Sequence, residues 1–290
     1  MSQKTHAAVL FSGGTDSTLA AAQMLEEFDK VTLLTFDPGY LFFLKNTRIH
    51  AKKLTDKYGA DRVEHQIIDI RHFIKEILGR DVGGDLREYG FNMASLVCLG
   101  CRLSMHAFAI YWCLKNEVPY IADGSIRAQN TIPEQMETVI RRNRRFYSQK
   151  YGIHHFSPIY EESESDLRLS ELGIADKAKL KKQFILFDTQ ATCAFGVPAD
   201  VYGRLFYGPA VGDTREKDSE QYCAEKHPEM IDTISRAMHH DGIEIEDAVE
   251  KLKEIRRADG DLGPSQTEGA DSAFDKALEA GVDGGLRSSV

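Results

Sequence analysis

The chain has 290 residues, 42% hydrophobic and 28% charged, with 36 Lys and Arg against 45 Asp and Glu for a net charge of −9. Such apolar content excludes full disorder, the length allows one large or two modest domains, and the acidity argues against a polyanionic partner. No apolar run approaches the roughly 18 residues of a membrane span, and the N-terminus shows neither a long leader core nor a cleavage site, so a cytoplasmic protein with no membrane partner is expected.

His6–Phe11 reads as a short buried strand, and Ser17–Phe28 as a helix with Leu19, Ala22, Leu25 and Phe28 on one face. Lys30–Phe36 is short and β-branched, a second strand. Asn46–Tyr58 reads as a helix, Arg62–Ile70 as a third strand and Ile74–Leu78 as a short helix. Gly79–Asn92 reads as a loop around Gly83-Gly84. Arg102–Asn116 is expected to be a helix ended before Pro119, followed by a fourth strand at Tyr120–Asp123. Pro133–Lys150 reads as a long helix with Pro in its first turn, and Gly152–Phe156 as a fifth strand. This alternation predicts an α/β fold, a parallel sheet covered on both faces.

After about Ser163 the pattern turns helical. Met230–Met238 and Ile245–Ile255 read as an antiparallel pair around Asp241-Gly242. Three regions are expected: 1–162, an α/β domain; 163–258, a helical part; and 259–290, a Gly-, Ser- and Asp-rich tail with at most a weak helix at Ala273–Ala280. Residues 259–290 carry seven acids and two bases, so over half of the net −9 belongs to that tail. The remainder is only mildly acidic, and the argument against a nucleic-acid partner weakens accordingly.

The strongest local signal is Ser12-Gly13-Gly14-Thr15-Asp16-Ser17, between the first strand and first helix. Two glycines let the backbone come close to a ligand, and the uncapped N–H groups of a helix start favour a phosphate. Hydroxyls of Ser12, Thr15, Ser17 and Thr18 add donors. Asp16 would repel a bare phosphate, so its expected job is to hold a Mg²⁺ that bridges phosphates. The spacing is neither a Walker A loop nor a G-x-G-x-x-G fingerprint.

This segment resembles the SGGxDS signature of the PP-loop (N-type) ATP pyrophosphatase superfamily. The resemblance covers roughly residues 5–160, and extends more loosely to Cys193. It implies a Rossmann-like, adenine nucleotide alpha hydrolase-like sheet of five strands, and cleavage of ATP between its α and β phosphates. It places the pyrophosphate end of ATP on Ser12–Ser17. Phe36 and Asp37 fall where the family's adenine and ribose contacts lie. Ala122-Asp123-Gly124-Ser125 fits the family's turn near the α-phosphate.

Five cysteines are too few for a secreted disulfide scaffold. Cys98-x-x-Cys101 could be a redox pair, half a zinc site or iron–sulfur ligands. No second close pair completes a structural zinc site. Cys113, about 120° round a helix from Cys101, is expected in the core, and Cys223 is the weakest candidate. A C-x-x-C pair before a helix, with Cys193 far downstream, resembles the PP-loop tRNA thiolases of the 2-thiocytidine and 2-thiouridine synthetase type. In those enzymes three cysteines hold a [4Fe–4S] cluster with one iron left open for the delivered sulfur. The resemblance thus implies Cys98, Cys101 and Cys193 as cluster ligands, with a persulfide on one of them as the variant without a cluster. The extra zinc-finger cysteines of the thiouridine-type relatives and the four-cysteine zinc site of the deazaguanine-forming branch are absent.

Arg141, Arg142, Arg144, Arg145 and Lys150 form one basic run and Lys177, Lys179, Lys181 and Lys182 another; each is either a contact for RNA phosphates or ATP, or a solvated face. Arg127 and Gln129 could reach a substrate. His154-His155 and His239-His240 lack a carboxylate or Cys partner in sequence and read as structural or surface residues. The resemblance implies an ATP-dependent sulfur transferase that adenylates a carbonyl oxygen, most simply of a tRNA base, with Asp16 and the three cysteines in the chemistry. Implied partners are ATP, tRNA, a sulfur donor protein or sulfide, and a second copy of the chain. The rivals are a PP-loop enzyme that adenylates a small molecule for a nitrogen nucleophile, and a nucleotide-binding module without turnover.

Overall fold

A computed structural model describes residues 5–90, 93–130, 132–175, 191–194 and 216–262. The second lysine run, the terminal tail from 263 and its weak helix lie outside the described residues.

Five parallel strands form the centre: β1 (His6–Leu10), β2 (Lys30–Asp37), β4 (Val63–Asp69), β5 (Tyr120–Ala122) and β6 (His154–Phe156). Their order is β4-β2-β1-β5-β6, with Val9 opposite both Leu33 and Ala122. Successive β1 residues point to opposite faces, and both faces are buried, which is why the strand reads as a continuous apolar run. Ala8 and Leu10 enter one core with α3 (Arg71–Ile77) and α5 (Met93–Asn116). Ala7, Val9 and Phe11 enter the other, with α1 (Thr15–Glu27), α2 (Thr47–Tyr58) and α7 (Ser165–Glu171). The sheet is therefore covered on both sides, as expected for a Rossmann-like α/β fold.

The last helices, α8 (Glu216–Glu225), α9 (His227–His240) and α10 (Ile245–Asp259), share the first core through Tyr222, Cys223, Met230, Ile234, Met238 and Leu252. A small antiparallel pair, β3 (Leu41–Phe42) with β7 (Thr192–Cys193), sets Leu41 opposite Cys193.

Four expectations are corrected. The stretch read as a loop contains α4 (Val82–Tyr89), because the Asp81 side chain accepts the Gly84 N–H at 2.9 Å and caps it despite the paired glycines. Helix α5 starts at Met93 rather than Arg102, so the C-x-x-C pair lies inside the helix and not before it. Its first turns carry Ser95, Cys98 and Gly100, weak helix formers, and bury Leu96, Val97, Leu99 and Gly100, which blurs the one-sided periodicity that marks a surface helix. Counted from Met93, α5 is also long and apolar enough to cross a membrane, with a mean hydropathy of 1.5, contrary to the expectation that no such run exists. Over half of that window is buried inside this fold, against α3, α9 and α10. Finally, the long helix expected over Pro133–Lys150 is a 3₁₀ turn at Pro133–Gln135, then α6 (Glu137–Arg145), then a π turn at Phe146–Lys150. Met136, with ψ at 138°, interrupts it.

Candidate active site

The loop after β1 turns at Gly13, whose φ of 79° suits glycine. Gly14 caps α1 without any side-chain hydrogen bond, so the start of the helix keeps amides for an anion. Around it the hydroxyls are ordered. Ser12 Oγ lies 3.1 Å from Ser17 Oγ and accepts the Gly14 N–H at 3.3 Å, while Thr18 Oγ1 donates to Gly14 O at 2.7 Å. His50 of α2 closes the back of the loop, with Nδ1 2.9 Å from Gly13 O. Across it, Gly124 packs so tightly that a Cβ there would stand 2.6 Å from the Ser17 backbone nitrogen.

These residues open on a cavity of about 370 Å³ at the C-terminal ends of the strands. Ser12, Gly14, Thr15, Asp16 and Ser17 of the loop line it with Gly124 and Ser125, and its wall also carries Phe36, Tyr40 and the three cysteines Cys98, Cys101 and Cys193. The size and mixed lining suit a small ligand. Burial, with Asp166 nearby, raises the Asp16 carboxyl above its usual value, and Gln129 Nε2 donates to it at 3.2 Å. Oxygen donors of this kind suit magnesium.

The three cysteines meet although they come from α5 and from β7, some ninety residues later. Cys98 and Cys101 share one face of α5 at i, i+3. The β3–β7 pair brings Cys193 over them, fixed by the Ala194 N–H donating to Tyr40 O at 3.1 Å. Burial pushes both α5 thiols up, Cys101 to about 11, and the proximity of Cys193 adds to it. Among the described residues no group of three or more His, Cys, Asp or Glu is arranged to hold a single metal ion. A cluster differs from a single ion: each thiolate takes a different iron, so its ligands stand farther apart. Thiolates are the ligands that iron–sulfur clusters take, and three cysteines line this cavity.

Other expected residues fall elsewhere. Asp37 does not line the cavity but accepts the Gly39 N–H at 2.8 Å. Asp123 is buried behind the wall, where it pairs with Arg102, accepts Ser157 Oγ at 2.8 Å and the Ser125 N–H at 3.1 Å, and lies 3.4 Å from His155 Nε2. His155 thus has a carboxylate partner that sequence proximity hid, and Tyr147 stacks on its ring. His239 and His240 are exposed, as expected. Arg127 pairs with Glu161. In the basic run, Arg141 pairs with Glu137 and Arg142 with Glu220 of α8, so these two charges are answered within the fold. Cys113 and Cys223 are core residues.

Sequence reasoning missed Arg102, Tyr40, His50 and Glu134. Glu134 lines the cavity, its Oε2 buried with no hydrogen-bond partner among the described residues, and burial raises its carboxyl. The position of Arg102 directly after the C-x-x-C pair was the one available signal.

Residues 6–82, which include the Ser12–Ser17 loop, match the family model described as Queuosine biosynthesis protein QueC. Among solved structures, a 4-thiouridine synthetase–RNA complex with bound ATP is similar at TM-score 0.53 and 16% identity, covering 81% of this chain and 53% of that one. The chain thus spans about half the length of that synthetase, and the likeness is one of fold. A predicted subunit of tRNA methyltransferase from Methanocaldococcus jannaschii aligns at TM-score 0.38 and 20% identity, over 57% of this chain and 72% of that one. No curated protein matches the sequence. The fold is thus shared with that synthetase, and the family match is confined to residues 6–82 around the loop.

Proposed function

We propose that this PP-loop protein is an ATP-dependent sulfur transferase that acts on a base of tRNA in the reducing cytoplasm. The observation that carries the reading is that Cys98, Cys101 and Cys193 line the same cavity as the phosphate loop. An activated oxygen and an incoming sulfur would then meet without either leaving the site.

The loop amides and hydroxyls of Ser12–Ser17 bind the pyrophosphate end of ATP, and Phe36 lies where the adenine would rest. A carbonyl oxygen of the base attacks the α-phosphorus, the bond to the bridging oxygen breaks, and its electron pair leaves with pyrophosphate. The base oxygen, now carried on AMP, is a good leaving group, and sulfur replaces it. Positioning and neutralisation of the leaving charge are what the protein contributes. When bound, Mg²⁺ on Asp16 neutralises phosphate charge, and an iron–sulfur cluster on the three cysteines supplies a site for the donated sulfur.

The test is pyrophosphate release from ATP with tRNA and sulfide, together with thiolated nucleosides measured by mass spectrometry. Wild type is expected to give both, Asp16→Asn neither, and Cys193→Ala pyrophosphate without thiolation. Release that depends on ammonia and leaves tRNA unthiolated transfers the reading to a nitrogen nucleophile, and no release at all to a nucleotide-binding module.

A further inference from the structure

We infer that Arg102 grips the α-phosphate of the bound nucleotide and that Asp123 is its positioning residue. The inference rests on the ATP-cleaving reading above and adds a residue to it. Among the described residues that line the cavity, Arg102 is the one Lys, Arg or His, while Asp16 and Glu134 add negative charge. Among the described residues, a polyphosphate entering that cavity meets one cation.

Its placement is specific. Nη2 donates to Asp123 Oδ2 and, at 3.3 Å, to Ser125 Oγ, while Nε is buried with no partner among the described residues. Ser125 and Gly124 line the cavity, and Gly124 lies against the Ser17 nitrogen. Arg102 therefore sits beside the phosphate loop and, through its neighbour Cys101, beside the cysteines. With the pyrophosphate on the loop, the α-phosphate comes next along the same path. There a guanidinium can donate to the non-bridging oxygens while the bond to the bridging oxygen breaks. The electron pair leaves with pyrophosphate.

Asp123 is 1% exposed at its side chain and held by Ser157, the Ser125 amide and His155 besides Arg102. It cannot swing towards solvent or towards a ligand, so it acts through Arg102. Preorganisation of this kind costs nothing at the moment of reaction.

The experiment is equilibrium binding of AMP, ATP and adenosine to the full chain, with unfolding measured without nucleotide as control. Arg102→Ala is expected to weaken AMP and ATP by about 10- to 100-fold and adenosine by less than about twofold. Added guanidinium ion at millimolar level is expected to restore part of the AMP affinity. Arg102→Lys, the variant to use if alanine does not fold, should fall between the two, and Asp123→Asn should show the same AMP-to-adenosine split in weaker form. Equal weakening of AMP and adenosine, or unchanged affinity in a folded variant, overturns the assignment and leaves Arg102 a structural ion pair. The two readings fail separately. Wild type that binds AMP through Arg102 but releases no pyrophosphate with tRNA sinks sulfur transfer alone. Pyrophosphate release with unchanged nucleotide affinity in Arg102→Ala sinks only the role of Arg102.

Discussion

At Asp123, burial and pairing pull in opposite directions. Loss of water raises the carboxyl, but Arg102, His155 and His106 together outweigh it and hold the group well below 3.8. A folded value below the unfolded one means that the stability is fully present above about pH 4 and drains away as pH falls through that range. Asp123→Asn is therefore expected to cost about 2–3 kcal/mol at pH 7, because the partly buried Arg102 is left without its counter-charge. The gap to wild type should narrow between pH 4 and pH 3, as urea unfolding at each pH would show; a gap that stays constant contradicts the ion pair. At Cys101 burial prevails instead, and the Tyr40 hydrogen bond and the Arg102 charge offset only part of it. With the Cys101 thiol pushed up to about 11, metal-free protein at neutral pH holds almost no thiolate there. Iodoacetamide should then label Cys101 at least about tenfold more slowly in the native chain than in urea. Fast native labelling means that a nearby cation sustains the thiolate.

Among the elements, α5 matters most, since one helix carries Cys98, Cys101 and Arg102 while its other residues fill the core. Most of the sheet was legible in sequence, because a parallel strand buried on both faces is a short apolar run whatever surrounds it. The start of α5 was not legible, because a helix buried on nearly every side has no polar face to give it period. The turn at Gly124 was legible as a motif, but its reason was not: only the folded chain shows the Ser17 nitrogen 2.6 Å from where a Cβ would be. Gly124→Ala must push backbone against backbone. It should destabilise the chain by about 1–3 kcal/mol and weaken ATP binding further, measured by thermal unfolding and titration of the folded fraction. Unchanged ATP affinity would show that the loop does not depend on this contact. Between α6 and α8 the half-exposed Arg142–Glu220 pair is worth little, so Arg142→Ala should change stability by no more than about 1 kcal/mol. A larger loss by chemical unfolding means that the pair anchors α8.

For the molecule as a whole, the candidate site exists only because distant segments meet at one end of the sheet. The loop follows β1, the Asp123 turn follows β5, the cysteine pair rides on α5, and Cys193 arrives on β7. Strand-end motifs are readable one at a time because ligands of open α/β sheets gather there. The closeness of Cys193 to Cys98 is a property of topology, and no spacing rule contains it. The same holds for the pairing of His155 with Asp123 across neighbouring strands.

The central claim is that one cavity both activates an oxygen with ATP and replaces it with sulfur. Its most direct test is incorporation of radiolabelled sulfide into tRNA by anaerobically iron-reconstituted protein. The account predicts label in tRNA that requires ATP, appears with one pyrophosphate per sulfur, and is lost in Cys98→Ala, Cys101→Ala and Cys193→Ala alike. Pyrophosphate released with tRNA while all three variants still transfer sulfur at the wild-type rate would contradict it.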